Sequence, residues 1–192
     1  EWLDNVMNFT YPCYDIKMYD NTPDRGKNAV LLNNKYREKY GETTRNSFRA
    51  INSLHMHRDK VKPTVGIIER MALSHNDCRE ATLSAEYDYL LHLESDVFPP
   101  SDVIERLLWN NKKMVSALYY VDEGVHRSPM IQLPIEVSEN YGTCQLIKGG
   151  VNECAYLNGE VLKVSSAGLG CMLIHNSVLK KISFRWEKAV NK

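Results

Sequence analysis

The chain has 192 residues, of which 43% are hydrophobic and 25% charged, the composition of an ordinary folded domain rather than of a disordered or fibrous chain. Lysine and arginine total 24 and so do aspartate and glutamate, so the zero formal net charge argues against whole-chain attraction to nucleic acid or anionic membrane. No apolar run reaches the about 18 residues of a membrane span, and five cysteines without a CxxC pair favour a reducing, cytoplasmic location.

The first half of the chain predicts one strand, two helices and a second strand. Residues 14–20 alternate apolar and polar side chains, which predicts a strand ending in a polar turn. Helical spacing follows over 28–40 and, more regularly, over 67–85. Residues 87–93 are an apolar run of strand length, and the polar residues 94–96 end it.

The second half continues the alternation of helices and strands. A helix is expected over 101–111, a strand over 114–121, short antiparallel strands between residues 144 and 165, and a last strand over 167–174 before a short helix. This order predicts an α/β fold with a mixed, mostly parallel sheet flanked by helices, and a small antiparallel portion toward the C-terminus. Without repeats or a linker, residues 1–192 read as a single domain.

Two carboxylates follow the predicted strand over 87–93 and carry the strongest chemical signal. Ligands of open α/β sheets collect beyond the carboxyl ends of strands. If the chain stays extended, Glu94 and Asp96 point the same way and form an oxygen-rich site for Mn²⁺ or Mg²⁺ with room for phosphate oxygens. The alternative is that Ser95 or Asp96 only caps the turn to the next helix.

Residues 86–100, Glu-Tyr-Asp-Tyr-Leu-Leu-His-Leu-Glu-Ser-Asp-Val-Phe-Pro-Pro, resemble the segment of GT-A glycosyltransferases in which a strand ends in an Asp-x-Asp motif, especially in the family-2-like enzymes. Four further blocks resemble that family in the same order, over 2–12, 14–24, 164–174 and 176–184. The resemblance implies a GT-A, Rossmann-like fold, and a domain that lacks the family's first strand and a C-terminal part.

The resemblance also implies roles for individual residues. Asp96 matches the aspartate that coordinates the metal directly, and Glu94 matches the first acidic residue of the motif, which contacts the metal or the donor ribose. Ser95 lines the same donor-binding loop. Asp20 matches the residue that recognises the nucleotide base, with a plain turn residue as the alternative. Arg79 matches an arginine that holds the base or the diphosphate, with a surface arginine as the alternative.

Two glycines and several reactive side chains complete the candidate set. Gly168 and Gly170 match the family's loop beside the acceptor pocket, where the missing side chains allow a sugar or the backbone to come close. A simple turn before a strand is the alternative. His92 and Cys171 lie in apolar runs, so packed structural roles are favoured over ligation or nucleophilic attack. No late pair of acidic residues matches the family's general base, so no catalytic base is assigned.

The implied function is transfer of a sugar from a UDP-, GDP- or dTDP-linked donor to an acceptor hydroxyl, with metal assistance and expected inversion. The acceptor is not specified, and nothing gives a strong nucleic-acid signal. A sugar-phosphate nucleotidyltransferase is the first alternative, although residues 24–27 are a poor substitute for its glycine-rich basic loop. The second is a non-catalytic, degenerate transferase domain that acts as a binding module.

Overall fold

The computed structural model describes residues 1–19, 30–31, 34–35, 38–39, 67–122, 127–134, 144–146 and 161–185. Residues 30–31, 34–35 and 38–39 are helical, as predicted. The other helices and strands, in chain order, are α1 Trp2–Met7, α2 Ile67–Ser84, β1 Tyr89–Leu93, α3 Val103–Trp109, β2 Met114–Ser116, β3 Tyr120–Asp122, β4 Arg127–Pro129, β5 Ile131–Pro134, β6 Cys144–Leu146, β7 Ser166–Ala167, β8 Cys171–His175 and α4 Asn176–Leu179.

The chain forms two compact units, each built from two separate stretches of sequence. The first unit contains Glu1–Thr10 and Leu91–His175, and the second contains Tyr11–Leu90 and Asn176–Lys192. The acidic residues that follow β1 and the glycines that precede β8 therefore belong to the first unit. Arg79 belongs to the second.

A three-stranded sheet with the order β1-β8-β2 forms the centre of the first unit. β2 and β8 are antiparallel, with Met114 opposite Ile174. The Glu94 N–H donates to the Gly170 carbonyl (3.0 Å), which places the end of β1 beside the start of β8, so this pair is antiparallel as well. β3 pairs antiparallel with β4, and β5 pairs antiparallel with both β6 and β7.

The predicted GT-A, Rossmann-like fold with a mostly parallel sheet is therefore wrong for the part of the chain that the structure describes. The order helix, strand, helix, strand suggested that β1 and β2 are parallel neighbours. They do run in the same direction, but β8 lies between them and pairs antiparallel with both. Hydrophobic periodicity identifies a strand without identifying its neighbours, and here the neighbour comes from a distant part of the chain.

Several predicted strand bounds also change. Residues 14–19 form no strand, although that segment was predicted to be one, and residue 20 is outside the described residues. The strand predicted over 114–121 is two strands, β2 and β3, which belong to different sheets and are separated by residues 117–119. The helix predicted over 67–85 is confirmed as α2, and the helix predicted over 101–111 is confirmed as the shorter α3.

The core of the first unit lies between β8 and α3. Ile174 is fully buried, Leu173 is 3% exposed, and α3 packs against this strand. The apolar residues of α3 recur with helical spacing, and Val103, Ile104 and Leu107 are all buried. Four consecutive residues of β8, Cys171 to Ile174, are buried in this core.

In the second unit, α2 packs against α4, whose Leu179 is fully buried. The Asn76 side chain forms two hydrogen bonds with the Phe184 backbone, accepting from its N–H (2.9 Å) and donating to its carbonyl (2.7 Å). The His75 ring also lies 5.2 Å from the Phe184 ring, centroid to centroid. These contacts attach the segment after α4 to α2.

The cross-strand pair Met114 and Ile174 allows a matched test of this core. Ile174→Ala should lower the free energy of unfolding by about 2–5 kcal/mol, because the side chain is fully buried and leaves a cavity. Met114→Ala should cost about 1 kcal/mol or less, because Met114 is 47% exposed. Denaturant unfolding of both variants measures the difference, and equal losses would contradict the position assigned to β8.

Candidate functional site

The carboxylates after β1 lie on a hydrogen-bonded β-turn, which we call the acidic turn (residues 94–97). The Glu94 carbonyl accepts a hydrogen bond from the Val97 N–H (3.1 Å), closing the four-residue turn. Ser95 and Asp96 occupy its two central positions and are exposed. An extended chain was the condition under which Glu94 and Asp96 were expected to point the same way, and the chain turns here instead. Asp96 faces solvent, where a ligand can reach it.

The backbone of Glu94 is held on both sides by distant parts of the first unit. Its N–H donates to the Gly170 carbonyl (3.0 Å). Its carbonyl accepts from the Val97 N–H and also from the indole Nε1–H of Trp2 (2.9 Å). Because the anchoring bonds use backbone atoms of Glu94, its carboxylate is not consumed by them.

Helix α1 and the residues after it hold the chain that follows the acidic turn. The Asn5 amide donates to the Pro99 carbonyl (3.0 Å), and the Thr10 N–H donates to the Ser101 carbonyl (2.9 Å). The Thr10 hydroxyl also donates to a carboxylate oxygen of Glu105 in α3 (2.8 Å). Sequence analysis did not identify this anchoring. The available signal was the early tryptophan, whose indole N–H requires an acceptor when it is partly buried.

The two carboxylates of the turn influence each other electrostatically. Burial raises the pKa of Glu94 above its usual value, and the negative charge of Asp96 raises it further. The two carboxylates are therefore close enough for the charge of Asp96 to disfavour ionisation of Glu94. A divalent cation relieves repulsion of this kind, since both carboxylates can face the same positive charge.

The donor set suits a hard cation that shares its ligands with a substrate. Within the described ranges, no group of three or more His, Cys, Asp or Glu side chains is arranged to hold a metal. Mg²⁺ and Mn²⁺ accept a site of one or two carboxylates completed by waters and substrate phosphate oxygens. Asp96 and Glu94 fit a site of this kind.

Gly168 and Gly170 allow close approach, but the group that approaches is Tyr119 of this chain. The Gly170 N–H donates to the Tyr119 hydroxyl oxygen (3.0 Å). A Cβ on Gly170 would lie 2.5 Å from the Tyr119 Cζ, and a Cβ on Gly168 would overlap the Tyr119 hydroxyl oxygen. Both positions therefore need glycine for packing against this ring, and their predicted role beside an acceptor stays a prediction.

Arg79 and Asp20 are the two remaining residues that were predicted to bind the donor. Arg79 lies on α2 in the second unit, where its Nε donates to the carbonyl of Leu179 (2.6 Å) at the end of α4. That contact gives the guanidinium a structural partner. Asp20 lies outside the described residues. In the first unit, the structure thus brings together Glu94, Ser95 and Asp96 with both glycines.

The buried cysteine beside the site has the properties of a packed residue. Cys171 is 1% exposed, and burial raises its pKa to about 11. The thiolate is the nucleophilic and metal-binding form of cysteine, so this thiol is unreactive near neutral pH. The packed role expected for Cys171 agrees with this environment.

No protein-family model matches the sequence, and no curated protein matches it either. Of the helices in the described part of the chain, none is long and apolar enough to cross a membrane.

The packing of Tyr119 against the glycines gives a double-mutant test. Gly168→Ala and Gly170→Ala should each cost about 1–3 kcal/mol of stability through steric overlap. Adding Tyr119→Phe should recover part of the Gly168→Ala loss, because the hydroxyl oxygen is the nearest atom there. It should recover none of the Gly170→Ala loss, because ring carbons lie nearest. Equal recovery at both positions, measured by chemical unfolding, would contradict this packing.

The raised pKa of Glu94 gives a pH-dependent test. The folded-state pKa lies above the ordinary value of 4.5, so ionisation of Glu94 opposes folding, and the free energy of unfolding should fall as the pH rises from 4.5 through the raised pKa. Glu94→Gln lacks this ionisation and should be more stable than the wild type at pH 7 in the presence of a chelator. Below pH 4.5, the free energies of unfolding of the two proteins should become equal, because Glu94 is then protonated in the wild type. A variant less stable than the wild type at pH 7 would be contrary to this.

Proposed function

We propose that this protein is a metal-dependent glycosyltransferase that moves a sugar from a nucleotide-diphosphate donor to an acceptor hydroxyl. The observation that supports the proposal is the acidic turn, which presents the exposed Asp96 beside the partly buried Glu94. Backbone hydrogen bonds hold Glu94, so the start of the turn keeps its position without a ligand. The resemblance of residues 86–100 to glycosyltransferase sequences suggests the donor class.

Charge explains why the donor would need a cation at this turn. A nucleotide diphosphate carries negative charge, and two carboxylates alone repel it. Asp96 would hold Mn²⁺ or Mg²⁺ directly, with Glu94 contributing directly or through a bound water. When bound, such an ion offsets the charge that builds on the leaving diphosphate.

Residues of the chain itself keep the acidic turn in place for the donor. The backbone bonds of Glu94 to Gly170, Val97 and Trp2 keep the turn preorganised, so little reorganisation is needed when a donor binds. The half-buried side of the turn, near Glu94, limits access of water to that carboxylate. We extend the proposal to a cytoplasmic reaction, in keeping with the free thiols of Cys13, Cys78 and Cys171.

The first test is turnover of donors by an Asp96 variant. UDP-, GDP- and dTDP-linked sugars are incubated with the full chain and Mn²⁺, and release of the nucleoside diphosphate is measured. Asp96→Asn should reduce Mn²⁺-dependent release by about 100-fold or more, since it removes the direct metal ligand. Thermal unfolding should stay close to that of the wild type, because Asp96 is exposed.

Two variants serve as controls for this test. Asp102→Asn is the same chemical change at an N-cap carboxylate that pairs with Arg106 (2.8 Å), and it should retain turnover. Ser95→Ala changes the donor-binding loop without removing a carboxylate, so it should keep the Mn²⁺ dependence and lose less turnover than Asp96→Asn. Full activity of Asp96→Asn would refute the proposal. Nucleotide binding without turnover would favour a binding module, and pyrophosphate release from a nucleoside triphosphate and a sugar phosphate would favour a nucleotidyltransferase.

A further inference from the structure

The Tyr119 phenol is fixed in place by both its backbone and its side chain. Residues 117–119 lie between β2 and β3 and belong to neither strand. The Tyr119 carbonyl accepts a hydrogen bond from the Met130 N–H (3.0 Å). At the other end of the residue, the hydroxyl oxygen accepts from the Gly170 N–H (3.0 Å). A tyrosine held at both ends presents its hydroxyl in one orientation.

The hydrogen of this hydroxyl is directed away from Gly170. A phenol can accept one hydrogen bond and donate another, and the Gly170 N–H already occupies an acceptor direction. In the part of the chain that the structure describes, the Gly170 N–H is the hydrogen-bond partner of the Tyr119 oxygen. The bond to Gly170 therefore does not use the phenolic proton.

Gly170 connects this phenol to the acidic turn. Its N–H reaches the Tyr119 oxygen, and its carbonyl accepts from the Glu94 N–H (3.0 Å). The phenol and the carboxylate-bearing turn are thus attached to opposite sides of a single residue. Burial and the charges of Glu94 and Asp96 raise the pKa of Tyr119, so the phenol is neutral and able to donate near pH 7.

We propose that the Tyr119 hydroxyl binds the donor by giving its proton in a hydrogen bond to a diphosphate oxygen held at the acidic turn; this inference rests on the function proposed above. A diphosphate held through a cation at Asp96 would span Gly170, to which the turn and the phenol are each attached by one hydrogen bond. A neutral donor stabilises a phosphate oxygen there without competing for the carboxylates. The role is one of binding, and no bond to Tyr119 is made or broken.

The test separates the cation from the diphosphate by calorimetry on the full chain. Mn²⁺ is titrated first, and inorganic pyrophosphate is then titrated at saturating Mn²⁺, so that neither a base nor a sugar contributes. Tyr119→Phe should leave the Mn²⁺ affinity within about twofold and weaken pyrophosphate binding about 10-fold, as expected for one lost hydrogen bond to a charged group. Asp96→Asn should weaken both.

Tyr120→Phe is the matched control, because the neighbouring ring is 39% exposed and loses the same atom. It should bind Mn²⁺ and pyrophosphate like the wild type. Unchanged pyrophosphate binding by Tyr119→Phe, with binding lost in Asp96→Asn, would overturn the role of Tyr119 and leave the proposed function standing.

A parallel loss of Mn²⁺ and pyrophosphate affinity in Tyr119→Phe would show that the hydroxyl acts only by positioning Gly170, which also overturns the contact. Wild-type protein that binds neither probe, or Asp96→Asn that binds both like the wild type, would overturn the proposed function itself. The two failures are therefore distinguishable.

Discussion

The hydrogen bond from the Glu94 N–H to the Gly170 carbonyl is the contact on which the candidate site depends. It joins the end of β1 to the start of β8 and so sets where the chain turns. Because Gly170 also donates to the Tyr119 hydroxyl, the same residue is bonded both to the phenol and to the turn that carries the two carboxylates. A side chain at Gly170 would separate these groups, since its Cβ would meet the Tyr119 ring.

The acidic turn carries a cost to stability that a ligand would remove. Glu94 is partly buried beside the charge of Asp96, and both effects oppose its ionisation. The fold offsets this cost with backbone hydrogen bonds and with the indole of Trp2, which leave the carboxylates unengaged. Local conflicts of this kind are expected at functional sites, where the stability of the chain is not optimal.

Local pattern predicted the elements that depend on neighbouring residues. Helix α2 and helix α3 were predictable because their apolar spacing is a property of consecutive residues, and β1 because its apolar run ends at polar residues. The division of residues 114–121 into β2 and β3 was not predictable in this way. Both halves are apolar, and the break follows from pairing with different partners, β8 and β4.

The sequence alone determined that Glu94, Ser95 and Asp96 follow the end of a strand, since they are consecutive with its last residue whatever the sheet around them. Only the tertiary structure decided that β8 lies between β1 and β2, which made the sheet antiparallel and the predicted mostly parallel fold wrong. It also decided that Trp2 bonds to the Glu94 carbonyl and Tyr119 to the Gly170 N–H. The physical reason is that hydrogen bonds of a sheet connect segments far apart in the chain, and their choice depends on the packing of the whole unit rather than on local periodicity.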